Sequence, residues 1–179
     1  AGAVLGIDVS TPMLEVARAR AALADCANLV FREGDASKAE LPANTDLLFS
    51  RFGVMFFSQP TQALSHLRGS LRAGGRGVFV CWRAPRDNGW AMVPLSAARA
   101  AMGVTPAPAD PSAPGPFALA DEQRLRAILS GAGFGAVDMQ RFDAALCLGA
   151  TPRSAAEAAV QIGPVSRFVR EVGVEHLPI

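Results

Sequence analysis

Short runs of apolar residues alternate with amphipathic stretches along the first half of the chain. Runs of this length, bounded by polar or turn residues, are typical of buried parallel strands. We therefore expect four strands, at residues 4–8, 29–31, 46–50 and 77–82.

Two amphipathic helices are predicted between these strands. Ser10 or Thr11 can cap the first helix, and Pro12 falls in its first turn, where the missing N–H of proline costs nothing. Leucines at helical spacing over residues 64–71 predict the second helix, which we expect to stop at the glycine pair 74–75. Strands and helices in this order, with right-handed crossovers, predict an α/β fold with a doubly wound, mostly parallel sheet.

The second half of the chain is more irregular. Prolines crowd residues 105–117, so we interpret residues 84–118 as an inserted loop or lid. The further predicted elements are helices at 90–102 and 121–132, a strand at 134–142, an antiparallel edge strand at 143–148, and a helix over 154–172 that Gly163-Pro164 interrupts. The predicted organisation is one domain over residues 1–150 and a helical segment over 151–179.

Composition excludes several classes of partner. The 17 Lys and Arg residues balance 16 Asp and Glu residues, which gives no electrostatic reason to expect nucleic acid or an anionic membrane as partner. No apolar run approaches the roughly 20 residues that span a bilayer. Cys26, Cys81, Cys147, His66 and His176 are not spaced as metal ligands, so we expect no metal and interpret the cysteines as incidental thiols in a reducing cytoplasm.

Acidic residues follow two consecutive predicted strands. Asp8 ends the first strand, where a carboxylate can accept hydrogen bonds from a ribose diol or cap the next helix. Asp35, beside Gly34, can accept from an exocyclic amine or stabilise its own turn. Because ligands bind outside the carboxyl ends of parallel strands, the two acids together predict an adenosine site.

Several segments resemble class I S-adenosylmethionine (SAM) dependent methyltransferases, specifically a bacterial small-molecule subgroup. The similar segments occur in the family's order and together cover about residues 3–142: Ile7–Leu14, Glu33–Ala36, Thr45–Phe57, Leu71–Arg76, Gly115–Phe117 and Ala132–Phe134. The resemblance implies a Rossmann-like fold, a SAM cofactor and a small-molecule methyl acceptor.

The resemblance also implies a cofactor-binding set. Asp8 would hold the ribose hydroxyls, and Asp35 would take the adenine amine. The other members are Val9 and Met13 against the adenine, Gly34 in the turn, the Ala36 N–H as a donor, and Ser50, Arg51 and Phe52 near the methionine end and the transferred methyl.

The chain departs from the family pattern before Asp8. Members of the family have a first strand and a turn of the form D-x-G-x-G-x-G there, and that strand lies centrally in the sheet, whereas only a few residues precede Asp8. Its loss would leave neighbouring strands unpaired, and each unpaired buried polar group costs about 1–3 kcal/mol. We therefore expect the chain to be a fragment that lacks its first strand and glycine loop. A smaller departure is Ala73, where proline is usual.

No catalytic residue is predicted. Methyl transfer from a sulfonium depends mainly on positioning, and a general base is needed only if the acceptor arrives protonated. His66 falls within the second predicted helix, so we expect it at the surface. Phe56 and Phe57 are expected to pack in the core, and the lid side chains Trp90, Met92, Met102 and Phe117 suggest an apolar or aromatic acceptor.

Two alternative functions remain open. A nicotinamide-dependent oxidoreductase would share an acid after the second strand, but the type with a Tyr-x-x-x-Lys motif is excluded because the chain contains no tyrosine. A non-catalytic domain that serves only in binding or assembly is the second alternative, and the missing glycine loop favours it.

Overall fold

The computed structural model describes residues 2–105 and 110–172. The helices and strands in this part of the chain are β1 (Val4–Asp8), α1 (Thr11–Leu23), β2 (Leu29–Glu33), β3 (Thr45–Arg51), α2 (Pro60–Gly69), β4 (Leu71–Val80), α3 (Gly89–Ala101), α4 (Glu122–Gly131), α5 (Pro152–Gln161) and α6 (Gly163–Val172). Short 3₁₀ turns lie at Val54–Phe56 and Pro85–Asp87. The end of the predicted C-terminal segment, with His176, and four residues of the predicted lid lie outside the described residues.

The chain divides into two compact units that do not follow sequence order. The first unit comprises the described residues of Ala1–Phe49, Gln59–Val78 and Ile128–Gly135. The second comprises those of Ser50–Ser58, Phe79–Ala127 and Ala136–Ile179. The predicted boundary at residue 150 stays a prediction.

Strands β1 and β2 form a parallel pair in the first unit. Their register places Val4 opposite Leu29 and Asp8 opposite Glu33. Helix α1 connects them, with Ser10 as its N-cap and Leu14 as its buried residue. The predicted strand–helix–strand order is confirmed here.

Strands β3 and β4 form a second two-stranded sheet. The Thr45 N–H donates to the Ser70 carbonyl and the Phe52 N–H donates to the Val80 carbonyl, each at 2.9 Å. Residue numbers increase along both strands from the first of these bonds to the second, so β3 and β4 are parallel. The prediction that the strands are buried is wrong, because each described strand pairs with a single neighbour and apolar side chains such as Phe49 stay exposed.

The boundary between α2 and β4 differs from the prediction. Helix α2 ends at Gly69 and β4 begins at Leu71, so the glycine pair lies inside a strand instead of ending a helix. Gly74 has a φ of +74°, and a Cβ at Gly75 would lie 3.0 Å from the Thr45 carbonyl oxygen. The glycines are therefore needed for the backbone path of β4 beside β3.

The predicted strands at 134–142 and 143–148 are wrong, including the antiparallel edge strand. No strand forms over residues 134–148, all of which are described. The Val137 carbonyl accepts a hydrogen bond from the Arg126 guanidinium at 3.0 Å, and Arg141 forms an ion pair with Glu122 at 3.1 Å. A segment of alternating polarity forms a strand only where a neighbouring backbone can pair with it. Here arginine side chains, and not a neighbouring strand, form the hydrogen bond and the ion pair.

Helices α5 and α6 replace the predicted interrupted helix, as expected from Gly163-Pro164. Thr151 and Ser154 form a capping box at the start of α5, and Gly163 has a φ of +65° where α6 begins. The buried cluster of the second unit joins α3, α5 and α6 through Leu95, Ala159, Val165, Phe168 and Val169.

Candidate functional site

The carboxyl ends of β1 and β2 lie side by side in the first unit. Asp8 and Glu33 are register partners, and the Gly34 N–H donates to the Asp8 carbonyl at 2.9 Å. The turn that carries Asp35 therefore starts directly beside the turn after Asp8. This edge is where ligands bind in parallel α/β sheets.

Asp8 has one occupied and one available carboxylate oxygen. Its Oδ1 accepts the Ser10 N–H at 2.9 Å, and its Oδ2 has no hydrogen-bond partner in the described part of the chain. The helix cap is Ser10, whose Oγ accepts the Met13 N–H at 3.4 Å. Asp8 is thus held in position without itself capping α1.

Asp35 repeats this arrangement one strand away. Its Oδ1 accepts the Ser37 N–H at 2.9 Å and the Ser37 hydroxyl at 2.7 Å, which is the turn-stabilising role that the sequence allowed. These bonds favour the ionised form and lower the pKa of the exposed Asp35 carboxyl. Among the residues described, Oδ2 has no partner.

Replacing Ser37 by alanine is expected to raise the pKa of Asp35 towards its ordinary value, because the hydroxyl bond is the largest cause of the lowering. Any contribution of ionised Asp35 to ligand binding would then be lost at a higher pH than in the unchanged protein. Carbon-detected NMR titration of the carboxyl would measure the change. Asp110 is the internal control, since Ser112 lowers its pKa in the same way and should be unaffected. An unchanged Asp35 pKa would contradict the assignment.

Apolar surface and a free donor accompany the two acids. The side chains of Val9 and Met13 are 69% and 60% exposed, although both are apolar. The Ala36 N–H forms no hydrogen bond with any described residue. These groups could cover one face of a heteroaromatic ring and donate to its nitrogen.

Thr11 and Glu33 belong to the same edge and were missed from the sequence. The Thr11 hydroxyl donates to Glu33 Oε2 at 2.6 Å, which ties the first turn of α1 to the end of β2. The two residues are 22 positions apart, so only the strand register brings them together.

Ser50, Arg51 and Phe52 follow one another at the end of β3, in the second unit. Phe52 has a φ of +65°, which is uncommon for a residue other than glycine. Its ring stacks on Trp82 with centroids 4.2 Å apart and planes 3° apart. The Arg51 guanidinium carbon lies 4.9 Å from the centroid of the Phe52 ring.

Of the neighbouring apolar residues, Met55 is buried but Phe56 is 56% exposed. The prediction of core packing is therefore wrong for Phe56, which lies at the end of a 3₁₀ turn, and Phe57 is half-buried. In the predicted lid, Met92 and Met102 pack against the buried cluster of α3, α5 and α6. Of the four lid side chains that suggested an apolar or aromatic acceptor, Trp90 and Phe117 therefore remain as candidate contacts.

No metal site is present among the residues that the structure describes. His66 is exposed on α2, as predicted, with Nε2 2.9 Å from the Ala39 carbonyl oxygen. No group of three or more His, Cys, Asp or Glu side chains in the described ranges could hold a metal ion. Cys26, Cys81 and Cys147 are free thiols.

Cys81 is expected to react with a thiol reagent about a hundredfold more slowly than Cys147. Burial raises the pKa of the Cys81 thiol to about 11, so about one molecule in a thousand carries the thiolate at about pH 8. Cys147 is exposed. Labelling of native protein with an aromatic disulfide, read by peptide mass spectrometry, would compare the rates, and unfolded protein is the control. Equal native rates would contradict the burial of Cys81.

A shallow cleft lies elsewhere in the first unit. Arg18, Asp25, Cys26 and Phe31 are among its lining residues, and Leu29 at its edge is the register partner of Val4. The cleft therefore adjoins the amino ends of β1 and β2, away from Asp8 and Asp35.

The segment that carries Asp8 and Asp35 is similar to a known protein family. A family model described as a methyltransferase domain matches residues 1–75. Residues 1–75 are therefore similar to the methyltransferase domain family. Asp8, Val9, Met13, Gly34, Asp35 and Ala36 all lie within this matched segment, so the predicted resemblance to the family is confirmed over it.

Solved structures support the fold over a larger part of the chain. The YcgJ protein from Bacillus subtilis superposes with a TM-score of 0.61 at 19% identity, over 97% of this chain and 67% of its own. A SAM-dependent methyltransferase from Aquifex aeolicus gives 0.51 at 21% identity, over 74% and 58%. A putative methyltransferase from Bacillus halodurans gives 0.50 at 18% identity, over 73% and 52%. The predicted Rossmann-like class is confirmed.

The chain spans about half to two thirds of these three structures. The predicted absence of a first strand and glycine loop stays a prediction. No curated protein matches the chain in sequence. In the described ranges, no helix has the length and apolar character needed to cross a membrane.

Proposed function

We propose that the protein transfers a methyl group from SAM to a small-molecule acceptor, and that Asp8 and Asp35 hold the adenosine part of the cofactor. The match of residues 1–75 to the methyltransferase domain model supports the reaction class. A cytoplasmic location and the bacterial small-molecule subgroup are part of the same proposal.

The observation that carries the proposal is the pair of prepared carboxylates at the ends of β1 and β2. In each, a turn bond fixes Oδ1, while Oδ2 has no partner among the described residues. A ribose diol needs a carboxylate acceptor, and an adenine amine needs a second acceptor. The exposed Val9 and Met13 side chains and the free Ala36 N–H match the remaining needs of an adenine ring.

The division of labour follows from this arrangement. When bound, SAM supplies an electrophilic methyl group on a sulfonium. Asp8 would orient the ribose and Asp35 the adenine. These two contacts would fix the orientation of the adenosine group at the carboxyl ends of β1 and β2. Ser50, Arg51 and Phe52 stay predicted to lie near the methionine end and the transferred methyl, where the acceptor must also approach. His66 is bonded to the Ala39 carbonyl and exposed, so we assign it no proton transfer.

The even charge balance supports a small molecule over a nucleic acid as acceptor. Incubating the chain with methyl-labelled SAM and a small-molecule extract tests the proposal. We expect acceptor-dependent formation of S-adenosylhomocysteine (SAH), which the Asp8→Ala variant should not give. Equal turnover by both proteins would contradict the proposed role of Asp8.

A further inference from the structure

We propose that Arg51 and the aromatic stack, which consists of Phe52, Trp82 and Trp90, bind a planar aromatic carboxylate as the methyl acceptor. This inference rests on the proposed function, since it names the acceptor class. It concerns residues of the second unit alone. The stack is rigid, its end is strained, and the Arg51 cation over it has no carboxylate partner in the described part of the chain.

The stack is held by a buried amide. The Trp82 ring contacts both other rings: its centroid lies 4.2 Å from that of Phe52 and 5.0 Å from that of Trp90, and the Trp82 and Trp90 planes are tilted by 43°. Asn88 is 6% exposed; its amide nitrogen donates to the Arg83 and Ala84 carbonyls at 3.0 Å, and its oxygen accepts the Trp90 indole N–H at 3.3 Å. The rings are therefore preorganised before any ligand arrives.

The end of the stack carries backbone strain. Phe52 keeps its positive φ while its N–H donates to the Val80 carbonyl at 2.9 Å. The backbone N–H of Trp82 donates to the sulfur of the buried Met55 at 3.4 Å, which holds the main chain of the residue whose ring stacks on Phe52. Strained residues persist only where their surroundings determine them, and they cluster at ligand sites.

Arg51 supplies the charge. Three arginines of the second unit, Arg83, Arg141 and Arg167, form ion pairs with carboxylates. Arg51 is exposed and has no carboxylate partner among the described residues, yet it lies over the Phe52 ring. A guanidinium held against a ring keeps its N–H edge available for two parallel bonds to a carboxylate. An aromatic acid would satisfy that edge and contact the stack.

The test uses intrinsic tryptophan fluorescence of the whole chain in the absence of SAM. The chain contains two tryptophans and no tyrosine, and both tryptophans belong to the stack, so the emission reports this site. The probes are benzoate, neutral benzamide and acetate. We expect benzoate to bind about tenfold more tightly than benzamide or acetate, with a preference that weakens as salt is raised.

Matched variants test the residue. Arg51→Gln should bind benzoate no better than benzamide, whereas Arg86→Gln, at another exposed arginine of the second unit, should keep the preference. Phe52→Leu should lower benzoate affinity severalfold, because Arg51 loses the ring that orients it. Equal binding of benzoate and benzamide by the unchanged protein, or equal behaviour of the two arginine variants, would overturn the inference. Loss of the proposed function would appear separately, as a failure to bind SAH while benzoate still binds.

Discussion

Replacing Asp8 by alanine is expected to weaken SAH binding about a hundredfold. The substitution would remove the acceptor of two hydrogen bonds from the ribose diol, and hydrogen bonds to charged groups contribute about 1.5–3 kcal/mol each. Solvent exposure of Asp8 keeps the expected loss near the lower end of that range. Isothermal titration calorimetry with both proteins would measure the two dissociation constants.

Two further variants separate binding from local structure. Asp8→Asn keeps an oxygen for the Ser10 N–H and can still accept one ribose bond, so we expect about a tenfold loss. Glu15→Gln removes an exposed carboxylate from α1 of the same unit and should leave the affinity unchanged. A loss as large for Glu15→Gln as for Asp8→Ala would show that overall charge, and not the ribose contact, governs binding.

Replacing Leu64 by alanine is expected to lower the free energy of unfolding by about 2–5 kcal/mol, because the substitution creates a cavity in a packed interior. Leu64 is 1% exposed and lies on the buried stripe of α2 with Ala63 and Leu67. Urea unfolding followed by far-ultraviolet circular dichroism would measure the change.

Leu23 gives the matched control for this substitution. It is the last residue of α1 and is 89% exposed, so Leu23→Ala should change the free energy of unfolding by no more than about 0.5 kcal/mol. Similar effects of the two substitutions would contradict the assignment of Leu64 to the core of its unit.

The local pattern was sufficient to predict the elements that carry Asp8 and Asp35. The apolar run before Asp8 gave β1 with its bounds, and the Ser10–Pro12 sequence gave the start of α1. These features depend on neighbours within a few residues. Strand order and the meeting of the two acids followed because a strand–helix–strand unit admits one common handedness.

Features that depend on distant partners could not be predicted. The glycine pair 74–75 looked like a helix end, but it lies inside β4, where a Cβ at Gly75 would come within 3.0 Å of the Thr45 carbonyl oxygen of β3. Residues 134–148 have the alternation of strands and find no strand to pair with. The Thr11–Glu33 bond and the stacking of Phe52 on Trp82 join residues 22 and 30 positions apart, for which sequence spacing gives no signal.

The same limit applies to exposure. Phe56 and Phe57 are adjacent and equally apolar, yet the 3₁₀ turn at Val54–Phe56 buries Met55 and leaves Phe56 exposed. Periodicity cannot distinguish such positions, because a single turn of 3₁₀ helix has no repeat from which a buried face could be read.

An amide NMR titration of the chain with SAH tests the central claim most directly. We predict saturable shifts for residues 8–13 and 34–36, and no shifts for residues 18–27, six of which line the cleft at the opposite end of β1 and β2. A folded chain whose spectrum does not respond to SAH, or responds around Arg18 and Cys26 instead, would contradict the proposal that Asp8 and Asp35 form a SAM site.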